Sequence, residues 1–173
     1  MRWQDTSEQV CSLARSMSIF GDRWTLLVIR QVFMKIQKFS SIQKSLGITK
    51  HRLSDRLNRL VNLGILYKKP YDNAGTKFEY KLTEKGLALF PIIIGIVQWG
   101  DDWLTDQDGP PIVYQHKTCG HFMRPKLCCT ECQEEISVHN TFGRPGPGIT
   151  KKIARNDLSD SNVRLYAESM PKV

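Results

Sequence analysis

No stretch of this chain is apolar for long enough to cross a bilayer. The longest, Leu87 to Trp99, contains Pro91 and falls well short of the roughly 20 residues a span needs. The first twenty residues are polar and carry no apolar signal-like run, so a soluble, cytoplasmic protein is expected. Patterns that mark common enzymes are also missing: there is no G-x-S-x-G, P-loop, dinucleotide or H-E-x-x-H motif. No catalytic residue is therefore assigned, and the expectation is a protein that is not an enzyme. An even set of spaced cysteines is lacking: there are five, one near the start and four between Cys119 and Cys132, which argues against a secreted disulfide framework. Acidic residues are few where basic ones gather. From Lys35 to Lys85 there are twelve Lys or Arg against four Asp or Glu, and that surplus of eight equals the net charge of the whole chain. With a pI near 9.4, such a field favours an anionic polymer as partner, a membrane surface being the weaker option.

What is present centres on Phe39 to Leu82. Ser40 with Gln43 three residues on forms a capping box that predicts a short helix through Leu46, which Gly47 breaks. Thr49 is the next N-cap candidate. Leu53, Leu57, Leu60 and Val61 share one stripe at the 3.6-residue period, which predicts a helix from Lys50 to Leu63. Its opposite face carries His51, Arg52, Ser54, Asp55, Asn58, Arg59 and Asn62, donor-rich side chains of the kind that bond base edges and phosphates. Gly64 starts a predicted strand, Ile65 to Tyr71, and Asn73 to Thr76 turns the chain into a second, Lys77 to Leu82. Helix, turn, helix and hairpin in this order read as a winged helix-turn-helix. The candidate DNA contacts are Ser40, Thr49, Lys50, His51, Arg52, Ser54, Asp55, Asn58 and Arg59, with Lys68, Lys69 and Lys77 on the wing. Arg56 lies on the flank of the leucine stripe, where a structural ion pair competes with a phosphate contact. For Lys68, Lys69 and Lys81 a plain solvated strand face is as good a reading.

Upstream, Asp5 with Glu8 predicts a first helix running to Phe20, and Asp22 is the N-cap candidate of the next. Several motifs then accumulate in order: Cys11-Ser-Leu-Ala-Arg15, Phe20-Gly-Asp-Arg-Trp-Thr-Leu-Leu-Val-Ile-Arg30, Leu53-Ser-Asp-Arg-Leu-x-Arg-Leu60, Tyr80-Lys-Leu-Thr-Glu-Lys-Gly86 and Trp99-Gly-Asp-x-Trp103. Together they resemble the HxlR-type transcriptional regulators over Cys11 to Leu104. The resemblance implies a MarR-like winged-helix homodimer that binds double-stranded operator DNA and dimerises through its first and last helices, here Asp5 to Phe20 and Glu84 to Leu104. The residues agree in part, because Phe90, Ile92, Ile93, Ile94, Ile96, Val97, Trp99 and Trp103 are too much apolar surface for one exposed helix, and either a second copy or the chain's own core must cover them. A repressor is expected, with a small-molecule or oxidant effector. In this family a cysteine at the place of Cys11 senses oxidants or electrophiles in some members; a small buried side chain at the dimer interface is the alternative.

The expected class is thus α+β, mainly α: a winged-helix DNA-binding and dimerisation domain over residues 1–107, a small cysteine-rich hairpin or ribbon over 112–142, and a C-terminal tail over 143–173. Ile112 to Tyr114 is read as a short strand leading into the cysteines. Cys129 and Cys132 have the spacing that lets two thiolates meet one tetrahedral ion, and Cys119 with His116 or His121 would complete the shell, Cys128 being spare or a substitute. This resembles a zinc-ribbon-like tail found on some longer chains of the same family, so zinc is the expected cofactor if any is held. Reduced, unligated thiols are the plainer reading, and a metal-dependent or thiol redox sensor, or an oxidoreductase using the Cys119 to Cys132 cluster, is the alternative function. The tail from Gly143 is polar with a weak apolar pattern and is expected to be loosely structured.

Overall fold

The computed structural model describes residues 7–169, which fall into two compact units: residues 24–135, and a second made of 7–23 together with 136–169. Asp5 lies outside the described residues.

In the larger unit α2 (Thr25–Phe33), α3 (Phe39–Leu46) and α4 (Lys50–Asn62) precede a hairpin of β1 (Leu66–Pro70) and β2 (Phe78–Leu82), followed by α5 (Glu84–Leu87) and α6 (Phe90–Trp103). The core forms where periodic apolar faces meet. Val28, Ile29 and Val32 of α2, Ile42 of α3 and the stripe Leu53, Leu57 and Leu60 of α4 are all essentially removed from solvent. Each such side chain contributes roughly 1.5–3 kcal/mol on burial. Gly47 closes α3 in the left-handed region at φ 62°, and its N–H returns to the Gln43 carbonyl at 3.0 Å. Gly64, at φ 65°, does the same after α4, and the chain at once buries Ile65 and Leu66.

The two strands pair antiparallel from Leu66 opposite Leu82 to Pro70 opposite Phe78. At the tip Asp72 accepts from the Thr76 hydroxyl at 2.6 Å and the Lys77 N–H at 2.9 Å, which holds its carboxyl below the usual range. At the base the hairpin is tied to the link before α3: the Tyr80 N–H donates to the Gln37 carbonyl at 2.8 Å, and Lys38 bridges Glu79. That tie explains one departure from the expected elements. The strand-like tether runs to Lys38, so α3 begins at Phe39 with Lys38 as its N-cap, and Ser40 lies inside the first turn rather than capping it. Likewise Trp24, not Asp22, precedes the first residue of α2.

The predicted helix from Glu84 to Leu104 is two helices. Thr83 caps α5, its hydroxyl accepting from the Gly86 N–H at 3.1 Å, and the chain re-nucleates at Phe90 with Pro91 in the first turn, where a missing N–H costs nothing. Ile112 to Tyr114 is assigned to no strand, contrary to expectation, although the Tyr114 carbonyl accepts from the Met123 N–H at 2.8 Å. Instead Gln115 bridges Phe122 and Cys128 bridges Glu135, making two small hairpins.

The smaller unit contains α1 (Ser12–Phe20), α7 (Pro147–Ala154) and α8 (Ser161–Ser169). Two expectations are corrected here. The first helix starts at Ser12, with Cys11 at its N-cap and residues 7–10 in turns. The tail is helical rather than loose: its few apolar side chains are spaced to share a face, Val163 is fully buried, and the Val10 N–H donates to the Asp160 carboxylate at 2.7 Å. That bond holds the Asp160 carboxyl below its ordinary value.

Candidate nucleic-acid interface

Helix α4 is buried along its leucines and open along its polar side. Lys50, His51, Arg52, Asp55, Asn58 and Arg59 are exposed, Ser54 is half-buried, and Ser40 and Thr49 are exposed on the approach. Thirteen residues at 1.5 Å rise give about 20 Å of helix, and the roughly 12 Å width of the major groove admits such a rod. Thr49 is the N-cap, as its place in the sequence predicts, although its side chain makes no capping bond. His51 Nδ1 lies 3.0 Å from Asp55, so the only acid of the helix faces a ring nitrogen one turn back. Arg56 is half-buried on the flank of the leucine stripe.

The wing stands beside this face. Lys68, Lys69 and Lys77 are exposed, and Lys68 Nζ donates to Asn58 Oδ1 at 3.4 Å, which joins wing to helix. Lys81 is mostly covered: it pairs with Glu79 at 2.7 Å and hydrogen-bonds Gln37. Its ammonium group is thus engaged within the fold. Its bond also holds the Glu79 carboxyl below the usual range. Lys38 Nζ sits 4.5 Å from the centre of the Tyr71 ring, fixing the outer strand. Sequence reasoning missed Gln43 and Lys44, which line a hollow with Ser40, Gly47 and Ile48 at the α3–α4 turn. The signal was available, since both lie within about one helical turn of Ser40 on α3.

Helix α6 presents a second kind of surface. Ile93 and Ile94 are buried and Phe90 packs on Phe33 with ring centres 5.3 Å apart, yet Ile92, Ile96, Trp99 and Trp103 are 50–72% exposed. Their spacing puts them on one stripe, and Ile92, Ile96 and Trp99 line a groove of about 370 Å³ with Pro91, Gly95 and Leu127. Elsewhere in the same unit α6 and the first ribbon hairpin enclose a cavity of about 370 Å³ lined by Ile94, Val97, Asp101, Ile112, Phe122 and Met123, among others.

The sequence-predicted metal donors are brought together in pairs. His116 Nδ1 lies 3.3 Å from Cys119 Sγ. Backbone N–H groups of Cys132 and Glu131, with the Cys132 thiol, bond Cys129 and hold its thiol below the ordinary cysteine value. Among the described residues no three His, Cys, Asp or Glu are gathered closely enough to hold a metal ion. Cys11 is exposed at the start of α1.

A donor-lined helix on a leucine stripe, preceded by a tight turn and flanked by a basic hairpin, defines the winged helix-turn-helix class. Residues 19–108 match the HxlR-like helix-turn-helix family, and the chain belongs to it. It is 43% identical over 143 residues to the HTH-type transcriptional regulator MT3179 of Mycobacterium tuberculosis (strain CDC 1551 / Oshkosh), covering 83% of this chain and 90% of that protein. The crystal structure of the transcription factor PA1607 is similar with a TM-score of 0.74 at 30% identity, over 82% of this chain and 99% of that one. The redox regulator HypR in its reduced form is similar with a TM-score of 0.50 at 25% identity, over 53% of this chain and 92% of that one.

Proposed function

We propose that this protein is a DNA-binding transcriptional regulator that works as a homodimer, with α4 in the major groove and the wing on the flanking backbone. The observation that carries the reading is the open face of α4, whose Lys50, Arg52, Asn58 and Arg59 stand exposed beside Lys68, Lys69 and Lys77. Phosphate contacts from the lysines set register, while Arg52 and Asn58 supply base-edge chemistry, Arg for guanine and Asn for adenine. The relatives support the same reading, being transcription factors and HTH-type regulators by name. The exposed stripe of α6 supports the dimer, since four large apolar side chains left open on one helix are covered in a second copy of the same chain. Two copies of α4 then read half-sites about 34–36 Å apart.

Footprinting and anisotropy titration on promoter fragments test this together. The expected result is protection of two half-sites one helical turn apart, with affinity that falls steeply with salt. Binding that ignores salt, or that survives Arg52→Ala with Asn58→Ala unchanged, contradicts it.

A second reading adds a signal. Cys11 is exposed at the N-cap of α1, and the chain is similar to a redox regulator, which favours oxidant sensing at that thiol. The cavity beside Asp101 offers the alternative input, a small and largely apolar effector. DNA release by diamide in the native chain but not in Cys11→Ser distinguishes the first from the second.

A further inference from the structure

The cysteine-rich segment contains the same turn twice. In the first, the His116 N–H donates to the His121 carbonyl at 2.9 Å, the Gly120 N–H returns to the His116 carbonyl at 2.8 Å, and Gln115 bridges Phe122. In the second, the Cys129 N–H donates to the Glu134 carbonyl at 2.9 Å, the Gln133 N–H returns to the Cys129 carbonyl at 3.0 Å, and Cys128 bridges Glu135. Each of these three pairings in the first has its counterpart 13 positions further along in the second. The backbone agrees: the residue after the second donor is left-handed in both, Gly120 at φ 73° and Gln133 at φ 62°. For Gln133, a side-chain-bearing residue, that conformation is uncommon and needs a reason.

Superposing the two patterns in sequence matches His116 to Cys129, Cys119 to Cys132, Gln115 to Cys128 and His121 to Glu134. We infer that the twin turns are the two halves of one tetrahedral zinc site whose ligands are His116, Cys119, Cys129 and Cys132. Cys128 is excluded because its counterpart is Gln115 and because neighbours along an extended strand face opposite sides. His121 is excluded because its counterpart is Glu134, while His116 already places Nδ1 3.3 Å from Cys119 Sγ. Three sulfurs and one nitrogen at two-residue spacings are a set that zinc takes in closed structural sites.

The segment also needs such a clip. None of residues 112–135 is buried, and Phe122 and Leu127 are 74% and 70% exposed. Twenty-odd residues without a core of their own have little apolar burial to offset the entropy of ordering them, Ile112, Tyr114 and Met123 being only half-buried. Among the described residues no three such donors stand close enough to share an ion as they are; the turns present two donors each, and an ion that draws the two pairs together supplies the missing free energy. This inference does not depend on DNA binding.

The test uses the full chain, reduced, stripped of metal and titrated with cobalt(II), whose visible spectrum reports tetrahedral thiolate coordination. The expected result is one ion per chain with a sulfur-to-cobalt charge-transfer band, displaced stoichiometrically by zinc. His116→Ala, Cys119→Ser, Cys129→Ser and Cys132→Ser each weaken binding on the order of 100-fold or more, whereas His121→Ala and Cys128→Ser leave it within a few-fold. Circular dichroism of every variant separates loss of the site from loss of the winged helix. Failure of the native chain to give the tetrahedral spectrum overturns the inference, as does loss of binding in His121→Ala or Cys128→Ser with retention in His116→Ala.

Discussion

Neutralising one wing lysine changes how DNA affinity depends on salt, by an amount that follows from the geometry. Lys77 is exposed at the start of β2, and its backbone N–H, not its ammonium group, is the part bonded to Asp72. Removing the charge therefore leaves the hairpin tip intact. A dimer that neutralises about six phosphates should show a slope of log K against log salt of about −5.4, a fall of roughly 10³ in affinity between 50 and 200 mM salt. Lys77→Gln removes two charges per dimer, so the slope should relax to about −3.6 and the same change in salt should cost only about 10². The loss should be uniform across operator and unrelated DNA, since a phosphate contact carries no sequence information. Lys68→Gln should behave differently, because Lys68 Nζ also bonds Asn58 at 3.4 Å and its removal frees a side chain on the reading face. Fluorescence anisotropy at five salt concentrations, on one operator and one scrambled duplex, measures all of these. If Lys77→Gln leaves the slope at its native value while weakening operator binding alone, the wing does not lie on the backbone and the docking is wrong.

Gly86→Ala should destabilise the fold by about 1–3 kcal/mol, because a methyl there would meet the Ile65 carbonyl oxygen and lie 2.9 Å from Leu82 Cδ2; in thermal unfolding that is roughly 2–4 °C per kcal/mol, and an unchanged midpoint would show that Gly86 is not tightly enclosed. Ile96→Asp should convert a dimer to a monomer in sedimentation velocity without lowering helicity, since Ile96 is half exposed in the single chain; a native chain that is already monomeric at micromolar concentration removes the basis of the dimer. Lys152 lies 2.7 Å from Asp157, and with two bonds from Ser159 it holds the Asp157 carboxyl down to about 2 from an ordinary value of 3.8. A depressed folded value means the contribution is complete above about pH 4 and decays as the pH falls toward 2. Carboxyl NMR should place the midpoint near the lower figure, and Lys152→Ala should raise it; a midpoint at 3.8 in the native chain contradicts the pairing.

The recognition helix was legible because its two determinants are both local. A 3.6-residue leucine repeat fixes which side is buried, and the glycines at 47 and 64 fix where it stops. The wing followed from Gly64 and from the turn at Asn73 to Thr76 between two short runs. What misled were places where a distant contact outweighs a local signal. Ser40 with Gln43 has the spacing of a capping box, but pairing of Lys38 with Glu79 sets the helix start one residue before Ser40. The break at Ala88 and Leu89 was marked by Pro91, which suits the first turn of a helix better than its interior. The tail was undervalued because its apolar residues are sparse; their spacing is helical, and a carboxylate 150 residues from Val10 contributes a bond that no window along the sequence contains.

The metal donors show the same division between spacing and structure. His116-x2-Cys119 and Cys129-x2-Cys132 can be read from the sequence as similar, yet Cys128 and His121 compete for the same roles until the hydrogen bonds are known. What separates them is the residue after each second donor. At Gly120 a positive φ is the ordinary freedom of glycine, and alone it would mean little. At Gln133 the same angle costs energy, and it recurs with the same two backbone bonds around it. A strained residue that copies a glycine turn, in a segment with nothing buried, implies that the turn is held for what its side chains present. In the second turn those side chains are Cys129 and Cys132, and the first turn offers His116 and Cys119 in the matching places.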